Sequence, residues 1–166
     1  MRYSPKFSNA DAFFTPIMMT LHADIHEFIE LCLSQRVEFI LVGGYALAFH
    51  GAPRFTEDID LMILVSPENA EKLDHVLKEF GFGGAGISRD DFLEVDQVIQ
   101  LGRAPNRIDL LTGISGVTWE EAWKTRSTVS LDGLEVPLIG KEELIRNKKA
   151  TGRPQDLADV ARLTNP

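Results

Sequence analysis

Two aspartates separated by one residue, Asp58 and Asp60 in TEDIDLMILV, are the side chains of this sequence best placed to do chemistry. Alternate residues of a strand share a face, so both carboxylates project to one side and Ile59 to the other. Neighbouring carboxylates resist joint ionisation unless a cation neutralises them. Magnesium meets that need, because it takes oxygen ligands and is usually held by one or two carboxylates together with substrate phosphates. A third acid, Asp109 in NRIDLLT, has the same flanking pattern, heading an apolar strand as Asp60 does, and can converge on the pair. Two ions about 3.5–4 Å apart, held by such acids, activate an attacking oxygen and steady a leaving one. The plainer alternative is a turn acid, a solvent-facing strand acid and an unrelated surface acid. For an isolated D-x-D pattern that alternative is the better reading.

Upstream, Val42-Gly43-Gly44 stands between an apolar run and a helix-forming stretch. Glycines there leave backbone N–H groups unobstructed at a helix start, where phosphate is welcome, although a tight turn explains two glycines equally well. Other motifs lose their chemical meaning in context. GFGGAG at 81–86 follows a helical pattern and not a strand, so it reads as a loop. His22 and His26 are four apart, but Ala23 stands where a zinc protease needs glutamate, so they read as surface histidines. Trp119 and Trp123 read as core or partner-facing residues before they read as a base-stacking platform.

These residues need elements to hold them. The first twenty residues contain two prolines and no sustained period, which predicts an irregular arm over 1–20. Leu21, Ile25, Phe28, Ile29 and Cys32 recur at helical steps over 21–34. VEFILV predicts a buried strand, GYALAFH a short helix stopped by Gly51, and IDLMILV a second strand. Ser66, Pro67 and Glu68 form a helix-start signature for a helix reaching about residue 80. FLEVDQVIQLG and RIDLLTGI predict two further strands, STVSL and LEVPLI two strand pieces, and helices are expected at 119–124, 141–150 and 154–163. Asp156 and Asp159 then share a helix face, positioned to cap its start or pair with Arg153 or Arg162. The expected fold is α/β of the α+β kind, with a small mixed β-sheet flanked by helices and residues 21–166 forming one domain.

Composition narrows the class. A chain of 166 residues with 44% hydrophobic content builds one core, and its formal charge of −8 excludes a surface that is wholly a basic nucleic-acid platform. The single cysteine, Cys32, forms no internal disulfide, and no run approaches the roughly 20 apolar residues that span a bilayer. A soluble, cytoplasmic protein without a membrane partner is expected. Basic residues concentrate near the end, in IRNKKATGRPQDLADVARL.

The combination of Gly43-Gly44, thirteen intervening residues, Asp58-Ile59-Asp60 and a later strand acid, Asp109, resembles the signature of the polymerase beta-type nucleotidyltransferase superfamily. GGYALAFHGAPRFTEDIDL and the C-terminal stretch are similar to its small bacterial branch, which includes lincosamide-type adenylyltransferases and the nucleotidyltransferases of toxin–antitoxin and abortive-infection systems. The resemblance implies a nucleotidyltransferase fold and transfer of a nucleoside monophosphate from an NTP, ATP first among them, to an acceptor hydroxyl. It further implies two Mg²⁺ ions, with Mn²⁺ as a substitute. Asp58 and Asp60 would hold both ions, Asp109 the catalytic one, and Gly43 and Gly44 the triphosphate. Where Gly44 stands the family often has serine, whose hydroxyl could touch phosphate, and Thr56 or Arg54 is the expected compensation for that contact. Arg54, Lys148, Lys149 and Arg153 are the candidates for holding phosphate charge. The acceptor stays open among tRNA or another RNA, an antibiotic and a protein, and a protein antitoxin is an expected partner. The alternative is a module of the same fold that binds nucleotide or a toxin–antitoxin partner without catalysis.

Overall fold

The computed structural model of the protein describes residues 19–81 and 86–165. The expected arm over 1–20 lies outside these residues apart from Met19 and Thr20, as do residues 82–85 of the glycine-rich loop. In chain order the elements are α1 (Ala23–Ser34), β1 (Phe39–Val42), α2 (Gly43–Phe49), β2 (Asp58–Ile63), α3 (Pro67–Phe80), β3 (Val98–Leu101), β4 (Arg107–Leu111), α4 (Trp119–Thr125), β5 (Ser127–Leu131), β6 (Leu134–Leu138), α5 (Lys141–Thr151) and α6 (Pro154–Thr164). This is the mixed α/β architecture that the hydrophobic periods predict.

Local chemistry sets the helix ends. Ser66 accepts a hydrogen bond from the Asn69 N–H at 3.1 Å, Pro67 occupies the first turn of α3, and Gly81 ends it at φ 96°. Thr118 and Glu121 form a reciprocal capping box at the start of α4. His22 is the cap of α1, its Nδ1 accepting from the Asp24 N–H at 3.2 Å. Buried Asn69 is fully used: Oδ1 accepts from the Glu38 N–H at 2.8 Å, and Nδ2 donates to the Glu38 and Leu64 carbonyls. It thereby ties α3 to the strand ends beneath it, and leaving those backbone groups unpaired would cost about 1–3 kcal/mol each.

The strand expected across FLEVDQVIQLG is corrected. Arg89–Leu93 forms a 3-10 turn fixed by a Ser88–Asp91 capping box, with Phe92 fully buried, and only Val98–Leu101 pairs as a strand. Asp96, at φ 56°, lies in the left-handed region and breaks any continuous extension between them.

The six strands form one sheet in the order β3-β4-β2-β1-β6-β5. β2 is antiparallel to β1 but parallel to β4, in a register that sets Asp58 opposite Arg107 and Asp60 opposite Asp109. Ile59 and Leu61 alternate with the two acids into the core. There α1 packs on α3, and Phe28 meets Phe80 edge to face with ring centroids 5.6 Å apart. α2 lies against β1 and β2, while α5 and α6 pack on each other and α5 reaches α2. The C-terminal basic stretch is thus carried to the end of the sheet where the acids stand.

Candidate active site

Nine of the ten candidate residues line one cleft of about 440 Å³. The exception is Lys149, which is exposed near the end of α5 and does not line it.

The cleft floor is the register between β2 and β4. Parallel pairing puts Asp58, Asp60, Asp109 and Arg107 on one sheet face, so three carboxylates stand beside one guanidinium that pairs with two of them. Arg107 grips two of them. Its NH2 nitrogen donates to Asp58 Oδ2 at 2.5 Å and to Asp109 Oδ2 at 3.1 Å, and Nε donates to Asp109 Oδ1 at 2.9 Å. Among the described residues Asp58 Oδ1 is buried with no hydrogen-bond partner. Asp60 forms no ion pair among the described residues. Burial, reinforced by the charges of Asp109 and Asp58, pushes its pKa up to about 7. Burial also raises Asp109, outweighing the hydrogen bonds from Arg107, while those bonds to Asp109 hold the Arg107 guanidinium above its ordinary value.

Glycine geometry shapes the next part. Gly43 follows β1 at φ 68°, and a Cβ there would fall 2.2 Å from Asp60 Oδ2. A Cβ on Gly44 would meet the Thr56 side chain at 2.9 Å. Thr56 thus fills the space that a side chain at position 44 would need, and its hydroxyl donates to the Asp58 carbonyl at 3.2 Å.

The opposite wall carries three cations on two buried acids. Lys148 Nζ lies 3.2 Å from Asp156 and 3.1 Å from Asp159. Arg54 forks onto both oxygens of Asp159, with Nε at 2.9 Å and NH2 at 3.2 Å. Arg153 binds Asp156 through Nε at 2.7 Å. Burial works to raise both carboxyls, but hydrogen bonds from Arg153 and Lys148 to Asp156, and from Arg54, Gln155 and Lys148 to Asp159, hold them below the usual range. Asp156 also caps α6 at Arg153, one of the two roles expected of it. Arg162 pairs with neither acid and donates instead to the Pro53 carbonyl. Lys148 is close enough to Asp60 for its charge to pull that pKa downward against burial.

Arg107 is the residue sequence reading missed. Its signal was present, since in R-I-D alternation puts Arg107 on the face of Asp109. The cleft also takes in Ser115, Asn147 and Thr151 beyond the acids, with Asn147 Nδ2 donating to the Ser115 carbonyl at 2.9 Å. Among the described residues no three His, Cys, Asp or Glu side chains form a ready-made metal cage. The floor nonetheless suits a hard divalent cation: its donors are all carboxylate oxygens, one of them lacks a partner among the described residues, and the one guanidinium pairs with only two of the three acids. No helix among the described residues is long and apolar enough to cross a membrane.

Among curated proteins no match to the chain was found. Solved structures of similar fold include the antibiotic-resistance factor ANT(2'')-Ia, at 14% identity over 84% of this chain and 80% of that one, with a TM-score of 0.52. Another is the lincomycin-bound lincosamide antibiotic adenylyltransferase LnuA, at 12% identity over 87% of this chain and 98% of that one, also with a TM-score of 0.52. At these identities the likeness shows the nucleotidyltransferase fold. The family model described as nucleotidyl transferase AbiEii toxin, type IV TA system, matches residues 32–139, the stretch from α1 through β6 that contains both glycines and all three floor acids. The chain belongs to the AbiEii nucleotidyltransferase toxin family.

Proposed function

We propose that this chain, with residues 21–166 acting as one domain, transfers a nucleoside monophosphate from an NTP to an acceptor hydroxyl and releases pyrophosphate. The observation that carries the reading is the β2–β4 register, which gathers three under-neutralised carboxylates on the floor of a cleft whose facing wall has a surplus of positive charge. Few sites need both signs of charge so close together; binding a metal–triphosphate complex does.

In this reading Asp58, Asp60 and Asp109 hold Mg²⁺, or Mn²⁺ in its place. When bound, the metal neutralises phosphate charge and makes the acceptor hydroxyl a better nucleophile. Gly43 and Gly44 let the triphosphate approach the backbone, and Lys148, Arg153 and Arg54 orient its tail. The acceptor oxygen attacks the α-phosphorus, the bond to the bridging oxygen breaks, and pyrophosphate leaves with that electron pair. Asp109, raised in pKa by burial, takes the acceptor's proton. Catalysis on this plan is mostly positioning and charge stabilisation. ATP is the first nucleotide to test, and the family's type IV toxin–antitoxin description supports an antitoxin as partner.

The test is incubation of the protein and Mg²⁺ with each α-labelled NTP and a panel of acceptors: tRNA, lincosamide and aminoglycoside antibiotics, and proteins. Labelled acceptor and pyrophosphate should form in equal amounts. Asp109→Ala should cut transfer by at least about 10³-fold while nucleotide affinity changes less than about tenfold. Release of free phosphate, or an equal loss of binding and turnover in Asp109→Ala, would contradict the assignment.

A further inference from the structure

We propose that Arg107 is an exchangeable counter-ion: it bridges Asp58 and Asp109 on the cleft floor, a divalent cation displaces it, and the freed guanidinium then binds the triphosphate of the incoming nucleotide. The proposal rests on the reading of the three floor acids as a cation site.

Occupancy of the oxygens is the first ground. Arg107 takes Asp58 Oδ2 and both oxygens of Asp109, so a cation reaching those atoms must compete with a positive charge already bound to them. The second ground is how incompletely Arg107 does the work. Among the described residues it leaves Asp58 Oδ1 unpartnered and Asp60 without an ion pair, whereas a divalent ion brings two charges to the same face. The third is freedom to move. Lys148 is 7% exposed and held between two buried acids, but the Arg107 side chain is 30% exposed and lines the cleft. A guanidinium released there keeps its planar fork, which matches phosphate as well as it matches carboxylate. Each ligand thus meets a prepared partner: the metal finds acids already held on one face, and the nucleotide finds an arginine that metal binding has set free.

The experiment is calorimetric titration with Mn²⁺ alone, then with α,β-methylene ATP at saturating Mn²⁺, on the wild type, Arg107→Met, Arg107→Lys and Asp58→Asn. Arg107→Met should bind Mn²⁺ at least about tenfold more tightly than the wild type, because a competing charge within a few ångströms has gone. Arg107→Lys should fall between them, since it keeps the charge but lacks the planar fork that takes both oxygens of Asp109 while reaching Asp58. With Mn²⁺ bound, Arg107→Met should hold α,β-methylene ATP at least about tenfold more weakly. Thermal melts identify any variant that fails to fold, and Arg107→Lys then carries the comparison. If Asp58→Asn abolishes Mn²⁺ binding but neither Arg107 variant tightens it, Arg107 is a structural strut and the exchange is refuted while the acid site stands. Tightened Mn²⁺ binding with unchanged analogue affinity refutes the hand-over to phosphate. Absence of Mn²⁺ binding in every protein removes the acid-site reading and this proposal with it.

Discussion

Asp60→Asn should make the metal-free protein more stable while removing its activity. Among the described residues Asp60 is the floor acid without an ion pair, and burial beside Asp109 and Asp58 raises its pKa to about 7. A carboxyl that titrates near 7 when folded and near 4 when unfolded is bound to a proton more often in the native state across that window. Native stability therefore falls as pH rises from about 4 to about 7, and the full cost persists above it. At roughly 1.36 kcal/mol per pH unit the ceiling is about 4 kcal/mol. Residual solvent access and the need to hydrogen-bond the new amide reduce the expected gain to about 2–3 kcal/mol. For a chain of this length that raises Tm by roughly 5–10 °C. The assay is thermal unfolding of both proteins in EDTA from pH 4 to 8.5. The difference should be near zero at the acid end, grow through pH 4–7 and level off above, and saturating Mg²⁺ should shrink it by stabilising the wild type alone. A variant that melts below the wild type at pH 8.5, or a difference independent of pH, would refute the reasoning.

Other substitutions separate geometry from charge. Gly43→Ala combines a positive φ with a Cβ 2.2 Å from Asp60 Oδ2, so chemical denaturation should show a loss of at least about 2 kcal/mol. Gly81→Ala, also at positive φ but facing open space, should lose only about 1 kcal/mol. Lys148→Met strips the shared cation from Asp156 and Asp159 and should cost about 2–4 kcal/mol, because buried carboxylates are then left short of positive charge. Lys149→Met, at an exposed position outside the cleft, should stay within about 0.5 kcal/mol of the wild type in stability and leave metal–nucleotide affinity unchanged by calorimetry.

The fold was legible where local chemistry decides it. Ser66-Pro67-Glu68 started α3 because a hydroxyl cap and a fixed proline φ act within one turn, and Ile59 between two aspartates gave the strand face through simple alternation. The strand over 92–102 failed for the same kind of reason: Ser88 and Asp91 cap a 3-10 turn, and Asp96 adopts φ 56°, a conformation that the apolar pattern does not signal. Gly43, Gly44, Asp58 and Asp60 were recognisable because their spacing is short, and Asp109 because it heads an apolar strand as Asp60 does. Arg107 escaped because its meaning depends on pairing β2 with β4 across 49 positions, and register between distant strands is a tertiary fact. Lys148 and Lys149 could not be ranked from sequence, since one step along α5 turns a side chain from the buried acids of α6 to solvent.

The central claim, that the three acids and the cation wall make one metal–nucleotide site, is tested most directly by calorimetry. ATP, GTP, CTP and UTP would each be titrated with and without Mg²⁺ into the wild type and into Asp58→Asn/Asp60→Asn. The account predicts Mg²⁺-dependent binding of at least one NTP by the wild type and at least about a hundredfold loss in the folded double variant. Equal binding by the two proteins, or wild-type binding indifferent to Mg²⁺, would contradict it.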